Sequence, residues 1–421
     1  MLESVLPRNK KPVYTLNALR GFGALFVMFN HIIFYGNYLD PAYTPAFFKY
    51  FYNDEILRVL IYFVISGTVI QLSNKQPITI DNITQYLKKR SIRIYPIYAL
   101  SLIITLVISK SIYSAYTIAG NFTFLNIMFT DVILENSPIW TLHYEILYYL
   151  IFIPISHFKM NPVKVAVAAF TIGLINYFLF PYTHSSLLTS YSFGFVFWST
   201  GLIIVRYLSN KADKPIIHRR LISILFLVMC LPFINKIKML MMRLSELVLG
   251  HKMSFPYVDE NTWFKMAINF SDFSYLPICI MAIVLFSNYK FKYQKWVLWI
   301  LQILPAYTLY TLYKMSGHLD VWANIVPISC YTLSCLFLLN AAVVNFISQR
   351  IFAVLMWFGN ISYGIYIIHM PFLVLFSHVI FFTGSVYSFS TRLGFYLLVT
   401  IISAYLLENT YQRFIVKVLT R

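Results

Sequence analysis

The chain alternates between long apolar runs and short polar segments along its whole length. Each apolar run has about twenty residues, which is enough for a helix to cross ~30 Å of hydrocarbon. We therefore predict an all-α fold, a polytopic integral membrane helical bundle of about ten to twelve transmembrane helices. The predicted spans are 19–36, 57–73, 94–110, 140–156, 164–181, 190–207, 220–235, 273–288, 296–315, 322–343, 352–378 and 392–412.

One further apolar segment, 118–134, is interrupted by Asn121, Asn126 and Asp131. These polar residues suggest that the segment lies at the outer surface or re-enters the membrane. Depending on how it is counted, the chain has roughly ten to thirteen spans.

Composition and charge agree with a membrane location. Charged residues make up 11% of the chain, whereas soluble domains are about a quarter charged. The net charge is +18, but the basic residues cluster between spans, which is typical of cytoplasmic loops and lipid headgroup contacts and not of nucleic-acid binding. We therefore predict a cytoplasmic N-terminal segment (1–18), a membrane domain (19–412) with an outer loop at about 236–272, and a cytoplasmic tail (413–421).

The first span carries a histidine, His31, at a depth where an ionisable side chain is costly and usually functional. Arg20 lies on the same predicted helix, roughly 16 Å nearer the inner face. Glu145 lies a few residues into the fourth span, which enters from the opposite side. Because the depths of His31 and Glu145 converge, we predict that Glu145 orients the imidazole and raises its basicity. Two separate helix-packing residues are the alternative.

A basic segment precedes the third span. Arg90 and Arg93 are three residues apart and share one face of a helix, with Lys89 beside them. Guanidinium groups match the oxygens of phosphate groups, so the pair is a candidate anion site. Anchoring of the cytoplasmic end of the span is the alternative interpretation.

Other polar residues within spans allow two interpretations each. Ser66 either lines a site or, with Gly67, permits close helix packing. His369, just before Pro371, lines an acceptor route or satisfies a nearby carbonyl. Glu408 is interpreted as structural. The four cysteines lack zinc-type spacing, and no metal site is expected.

Five local motifs together resemble one known family. They are Leu-x-x-Leu-Arg-Gly at 16–21 with ten residues between Arg20 and His31, Phe-Val-Ile-Ser-Gly at 63–67, Arg-x-x-Arg-Ile-Tyr-Pro at 90–96, Trp-x-Leu-x-x-Glu at 140–145 and Ile-Ser-Tyr-Gly-Ile-Tyr-x-x-His at 361–369. In this order they resemble the membrane-bound acyltransferase-3 family, which O-acylates bacterial surface glycans and related acceptors. Asn17 stands where that family usually carries an aspartate.

The resemblance implies transfer of an acyl group, usually acetyl, from cytoplasmic acyl-CoA to a hydroxyl of an extracytoplasmic or lipid-linked carbohydrate. It places the chain in the bacterial cytoplasmic (inner) membrane, with acetyl-CoA as a co-substrate and no permanently bound cofactor. The implied roles are His31 as general base, Glu145 as its support, Arg90, Arg93, Arg20 and Lys89 as contacts to coenzyme A, and Ser66, Trp140, Tyr363 and His369 as substrate-lining residues.

Two other classes of function remain open. A secondary transporter would use buried His and Glu side chains as a proton relay, and it would show paired repeats with broken helices. A lipid-linked glycan polymerase or ligase would carry large outer loops, for which only 236–272 qualifies.

Overall fold

The computed structural model describes residues 11–51, 56–179, 186–210, 216–249, 260–318 and 320–419. Nine helices in these ranges are long and apolar enough to cross a membrane. Strand structure in the same ranges is limited to a short antiparallel pair, β1 (Ser209–Asn210) with β2 (Tyr289–Lys290). The prediction of an all-α polytopic membrane bundle is confirmed.

The α-helices are numbered here in chain order, without the one-turn helix Gly36–Leu39. They are α1 (Lys11–Phe34), α2 (Ile56–Ser73), α3 (Ile80–Ile108), α4 (Ala115–Phe122), α5 (Trp140–His157), α6 (Pro162–Leu179), α7 (Ser186–Tyr207), α8 (His218–Cys230), α9 (Lys236–Leu249), α10 (Glu260–Met266), α11 (Leu276–Phe286), α12 (Gln294–Ser316), α13 (Ile325–Leu336), α14 (Ala342–Gly359), α15 (Ser362–Ser377), α16 (Val386–Leu406) and α17 (Gln412–Leu419). Tighter or wider turns are Ala46–Phe51, Leu134–Ile139 and Phe270–Tyr275, which are 3-10, and Leu407–Tyr411, which is π-helical.

The prediction of one span over 352–378 is wrong, because two helices divide this region. Helix α14 ends at Gly359 and α15 begins at Ser362. At the end of α14 the backbones of Gly359 and Asn17 touch, and a Cβ at 359 would lie 2.0 Å from the carbonyl oxygen of Asn17. Hydropathy is continuous through the break, so composition alone could not reveal it.

The apolar segment 118–134 and the predicted outer loop 236–272 both contain short helices. Within 118–134, α4 is followed by a loop closed by a bridge between Asn126 and Thr130, and a helix of eight residues is too short to cross ~30 Å. The segment 236–272 contains α9 and α10, while 250–259 lie outside the described residues.

Small residues allow α2 and α7 to pack backbone against backbone. A Cβ at Gly67 would lie 1.9 Å from the carbonyl oxygen of Trp198, and one at Gly201 would lie 2.4 Å from the amide nitrogen of Thr68. Close packing through small residues is the usual way in which membrane helices associate. It brings Ser66 on α2 and Trp198 on α7 within hydrogen-bond distance of each other.

Candidate active site

A cavity of about 310 Å³ lies between α1, α2, α3, α5 and α15. These helices are distant in sequence, and each contributes at least one polar side chain to the wall. Six residues that the sequence analysis singled out line it, namely Arg20, Ser66, Arg90, Arg93, Glu145 and Tyr363.

The acidic side of the cavity is a compact hydrogen-bonded group centred on Glu145. Ser66 donates its hydroxyl proton to Oε1 of Glu145 over 2.7 Å. Tyr149, one helical turn further along α5, donates its hydroxyl to the same oxygen, and Trp198 donates its indole N–H to Oγ of Ser66 over 3.2 Å. Both hydroxyl groups therefore donate to the same oxygen of Glu145.

Arg20, on α1, also lines the cavity. Its guanidinium donates to Oδ1 of Asn17 over 3.2 Å, and Tyr62 donates its hydroxyl to the Arg20 carbonyl over 2.9 Å. Asn17 is therefore a neutral partner at the position where the resemblance described above leads us to expect an aspartate. A neutral amide leaves the full positive charge of Arg20 directed at the cavity.

Arg90 and Arg93 form the basic end of the cavity, as their spacing on one helix face predicts. Arg90 donates to Oγ of Ser73 over 2.8 Å and lies beside the ring of Tyr149. Arg93 forms an ion pair of 2.9 Å with Glu408, whose side chain is 4% exposed whereas that of Arg93 is 52% exposed. Arg93 therefore contacts the buried carboxylate of Glu408, while about half of the Arg93 side chain remains exposed and accessible to a ligand.

Glu408, which the sequence analysis interpreted as structural, forms an ion pair with a residue of the cavity wall. It lies in the π-helical turn Leu407–Tyr411, and such turns are frequent at functional sites. The widened turn directs the Glu408 carboxylate at Arg93 across the bundle. Sequence spacing offered no signal for this pairing, because the two residues are 315 positions apart.

His31 pairs with the other intramembrane histidine that the motifs identified. Its Nδ1 lies 2.9 Å from Nε2 of His369, and Nδ1 of His369 lies 3.0 Å from the carbonyl oxygen of Ile365. A carbonyl only accepts, so in a neutral ring Nδ1 of His369 holds the proton and its Nε2 accepts. His31 must then donate from Nδ1, which makes its Nε2 the basic nitrogen.

The two side chains that were expected to pair, His31 and Glu145, therefore have different partners in the described residues. Glu145 bonds to Ser66 and Tyr149, and His31 bonds to His369. His31 lies one helical turn beyond Val27, which lines the cavity. The depths of the two residues were estimated along separate helices, and depth does not specify which neighbours face each other.

Comparison with known proteins adds one decisive match. A family model, Acyl_transf_3, described as an acyltransferase domain, matches residues 13–235. The chain belongs to this acyltransferase family. The matched range contains four of the five motifs, and the motif at 361–369 lies beyond it. No curated protein and no solved structure matches the chain.

The acyltransferase also holds a buried cation that the sequence analysis missed. Arg58 is 2% exposed, donates to Oδ1 of Asn30 over 2.9 Å and lies 4.4 Å from the centre of the Phe26 ring. It is close enough to His31 to act on it electrostatically. Its signal in the sequence is a charge at the start of the second apolar run.

Four predicted site residues lie outside the cavity wall of the acyltransferase, namely His31, His369, Trp140 and Lys89. Trp140 packs against Trp263 and Phe264, with ring centres 5.7 Å and 5.9 Å away. Lys89 is exposed on the outer face of α3. Conversely, Tyr149 and Tyr366 line the cavity although neither was singled out, because tyrosine is abundant throughout the chain.

Proposed function

We propose that this membrane acyltransferase moves an acetyl group from cytoplasmic acetyl-CoA to a hydroxyl of an extracytoplasmic or lipid-linked carbohydrate. The observation that carries the proposal is one cavity whose wall contains both guanidinium groups and a hydroxyl–carboxylate pair. The guanidinium groups suit the phosphates of coenzyme A, and the hydroxyl–carboxylate pair suits chemistry at the thioester. The bacterial inner membrane, with the N-terminus in the cytoplasm, is the proposed location.

The donor would bind at the basic end of the cavity. Arg90 and Arg93 present planar donor groups that suit the phosphates of coenzyme A, and the basic segment around them supports a cytoplasmic position. Arg20 lies deeper, where its charge would stabilise negative charge that develops on the thioester carbonyl.

The acceptor hydroxyl would be activated by His31. Its Nε2 is the basic nitrogen of the histidine pair, so it would take the hydroxyl proton as the oxygen attacks the acyl carbonyl. The bond from the acyl carbon to the group that carried it then breaks, and over the whole transfer coenzyme A leaves as the thiolate. Glu145 would act within the cavity on the donor side, through Ser66, and not by direct contact with the imidazole.

The proposal is tested by supplying radiolabelled acetyl-CoA to native membranes that contain the protein and to membranes that lack it. Label should pass to a carbohydrate or lipid-linked fraction only when the protein is present. Equal labelling of both membranes, or no consumption of the donor with native glycans present, would remove the proposed activity.

Arg93→Ala should raise the KM for acetyl-CoA roughly tenfold and leave the KM for the acceptor near its original value. The reason is the loss of one charge-assisted hydrogen bond to phosphate. In the wild type, part of the free energy of this hydrogen bond is cancelled, because Arg93 must weaken its ion pair with Glu408 to bind the phosphate. The KM values are measured with labelled donor, and an acetyl thioester of N-acetylcysteamine, which has no phosphates, should react equally with variant and wild type.

Lys88→Ala is the matched control, since this exposed cation lies on the same helix. It should leave both KM values unchanged. A larger effect of Arg93→Ala on the acceptor KM than on the donor KM would contradict the phosphate role.

His369→Gln should retain roughly tenfold more transfer activity than His369→Leu. Glutamine keeps an acceptor for the His31 Nδ1 proton and so preserves the tautomer, whereas leucine fills the space without accepting; one hydrogen bond of ~1.4 kcal/mol gives this ratio. The measurement is the rate of transfer at saturating donor for both variants. Equal losses would show that His369 only fills space.

A further inference from the structure

Ser66 combines three features of a serine nucleophile. It lines the cavity together with the basic residues, its hydroxyl proton is directed at a carboxylate oxygen 2.7 Å away, and its oxygen accepts the indole N–H of Trp198. A serine with a base in hydrogen-bond reach, the base itself oriented by a third group, is the general arrangement for covalent catalysis. In this chain Glu145 is placed where such a base would lie, and Tyr149 donates its hydroxyl to the Glu145 carboxylate.

The direction of these hydrogen bonds fixes the reactive proton. The Trp198 indole only donates and Ser66 is the donor to Oε1 of Glu145, so Ser66 uses one lone pair toward Trp198 and sends its proton to Glu145. The Ser66 oxygen also lies 3.0 Å from the Tyr149 hydroxyl. The backbone contact between Gly67 and Trp198 holds α2 against α7 at this level. The serine oxygen is therefore held in one orientation beside the base.

The positions of Ser66 and His31 are consistent with two separate steps. Ser66 and Glu145 share the cavity wall with Arg90 and Arg93, where the thioester of a bound donor would lie. His31 lies a helical turn beyond Val27, next to His369. A group attached to Ser66 would stay in the cavity after the donor leaves, while an acceptor approaches from the side of His31.

We propose that Ser66 carries the acyl group as an ester between donor and acceptor, with Glu145 as its base. This inference rests on the proposed function. In the first step Ser66 Oγ bonds to the acyl carbon, the C–S bond of the thioester breaks, the serine proton moves to Glu145, and coenzyme A leaves as the thiolate, which takes a proton from water. Arg20, in the same cavity, stabilises the oxyanion that forms on the carbonyl.

In the second step the acceptor hydroxyl attacks the ester carbonyl. Its proton moves to Nε2 of His31, the bond between Ser66 Oγ and the acyl carbon breaks, and the serine oxygen takes back the proton held by Glu145. The imidazolium then releases its proton to water. Serine, glutamate and histidine are thus restored, and the net reaction is acyl transfer from thiol to hydroxyl.

The experiment uses purified full-length protein in detergent with radiolabelled acetyl-CoA and no acceptor, quenched in acid and digested. The wild type should release one equivalent of coenzyme A rapidly and carry one acetyl group on the peptide that contains Ser66. His31→Ala should be labelled equally and transfer nothing, because its acyl group has no acceptor base. Ser66→Ala should lose both labelling and transfer.

Ser199→Ala is the matched control, since Ser199 is a buried serine whose hydroxyl, within the described part of the chain, donates to the carbonyl of Val196 in its own helix. It should keep labelling and transfer. Ser66→Cys covers the case in which alanine perturbs the fold, and it should give a protein thioester that hydroxylamine cleaves.

Three results would overturn the covalent step. They are a wild type that transfers acetyl to native membranes without labelled Ser66 at any quench time, a Ser66→Ala variant that transfers at the wild-type rate, and label that maps to another residue. If the wild type transfers no acetyl group to native membranes, the proposed function fails as well, and the transfer assay separates this outcome from the first three.

Discussion

Replacing His31 with alanine should lower acyl transfer by ~10²–10⁴-fold, the contribution typical of general acid–base catalysis. Its Nε2 is the nitrogen that the hydrogen bond to His369 leaves basic, and alanine supplies no proton acceptor at that place. The rate is measured as label passing from acetyl-CoA to the acceptor fraction of native membranes. Donor binding should be preserved, because the basic residues of the cavity lie on other helices or nearer the start of α1.

His157→Ala provides the matched control for this prediction. His157 is an exposed residue at the end of α5, and its loss should leave transfer near the wild-type rate. Added imidazole should restore part of the activity of His31→Ala by occupying the space of the missing ring. A stably folded His31→Ala that transfers at half the wild-type rate or more would remove His31 from the chemistry.

The second large effect is expected on stability, from Gly67→Ala. A methyl group at this position would lie 1.9 Å from the carbonyl oxygen of Trp198, so α2 and α7 must separate along a buried interface. Overpacking in a core costs ~1–3 kcal/mol, and because the obstacle is backbone we expect the upper part of that range. The midpoint of thermal unfolding in detergent should fall, and transfer should fall with it since Ser66 adjoins the displaced turn.

Gly394→Ala is the control for the glycine replacement. Gly394 lies within α16, and nothing occupies the space within 4 Å of its would-be Cβ. Alanine there should leave the free energy of unfolding unchanged or raise it by ~0.4–1 kcal/mol, because alanine lowers the conformational entropy of the unfolded chain. Equal unfolding midpoints for Gly67→Ala and Gly394→Ala would show that the α2–α7 contact tolerates a wider spacing.

The membrane architecture could be predicted from local pattern because each span must satisfy its own backbone hydrogen bonds within the hydrocarbon. Length and apolarity therefore identify helices without knowledge of their neighbours. Length and apolarity do not separate two helices that share one apolar run, as they do at Asn360 and Ile361. That break depends on the approach of Gly359 to Asn17, which is a contact between distant parts of the chain.

Much of the candidate site could also be anticipated, because polar residues within a membrane are rare and costly. Arg20, Ser66 and Glu145 stood out for this reason, and the structure gathers them around one cavity. Lys89 and Trp140 were selected from motifs and charge clusters, and neither lines that cavity. A motif does not state which way a side chain faces, and that depends on how the helix is rotated in the bundle.

The sequence by itself determined that the chain is a helical membrane protein with a basic segment, a buried imidazole and a buried acid in the order of one acyltransferase family. Only the tertiary structure decided which of these groups meet: His31 with His369, Glu145 with Ser66 and Tyr149, and Arg93 with Glu408. The reason is physical. The free-energy cost of burying a polar side chain depends on that residue and on the apolar run around it, so it can be recognised from the local sequence. The partner of the side chain depends on helix packing, which brings together residues hundreds of positions apart.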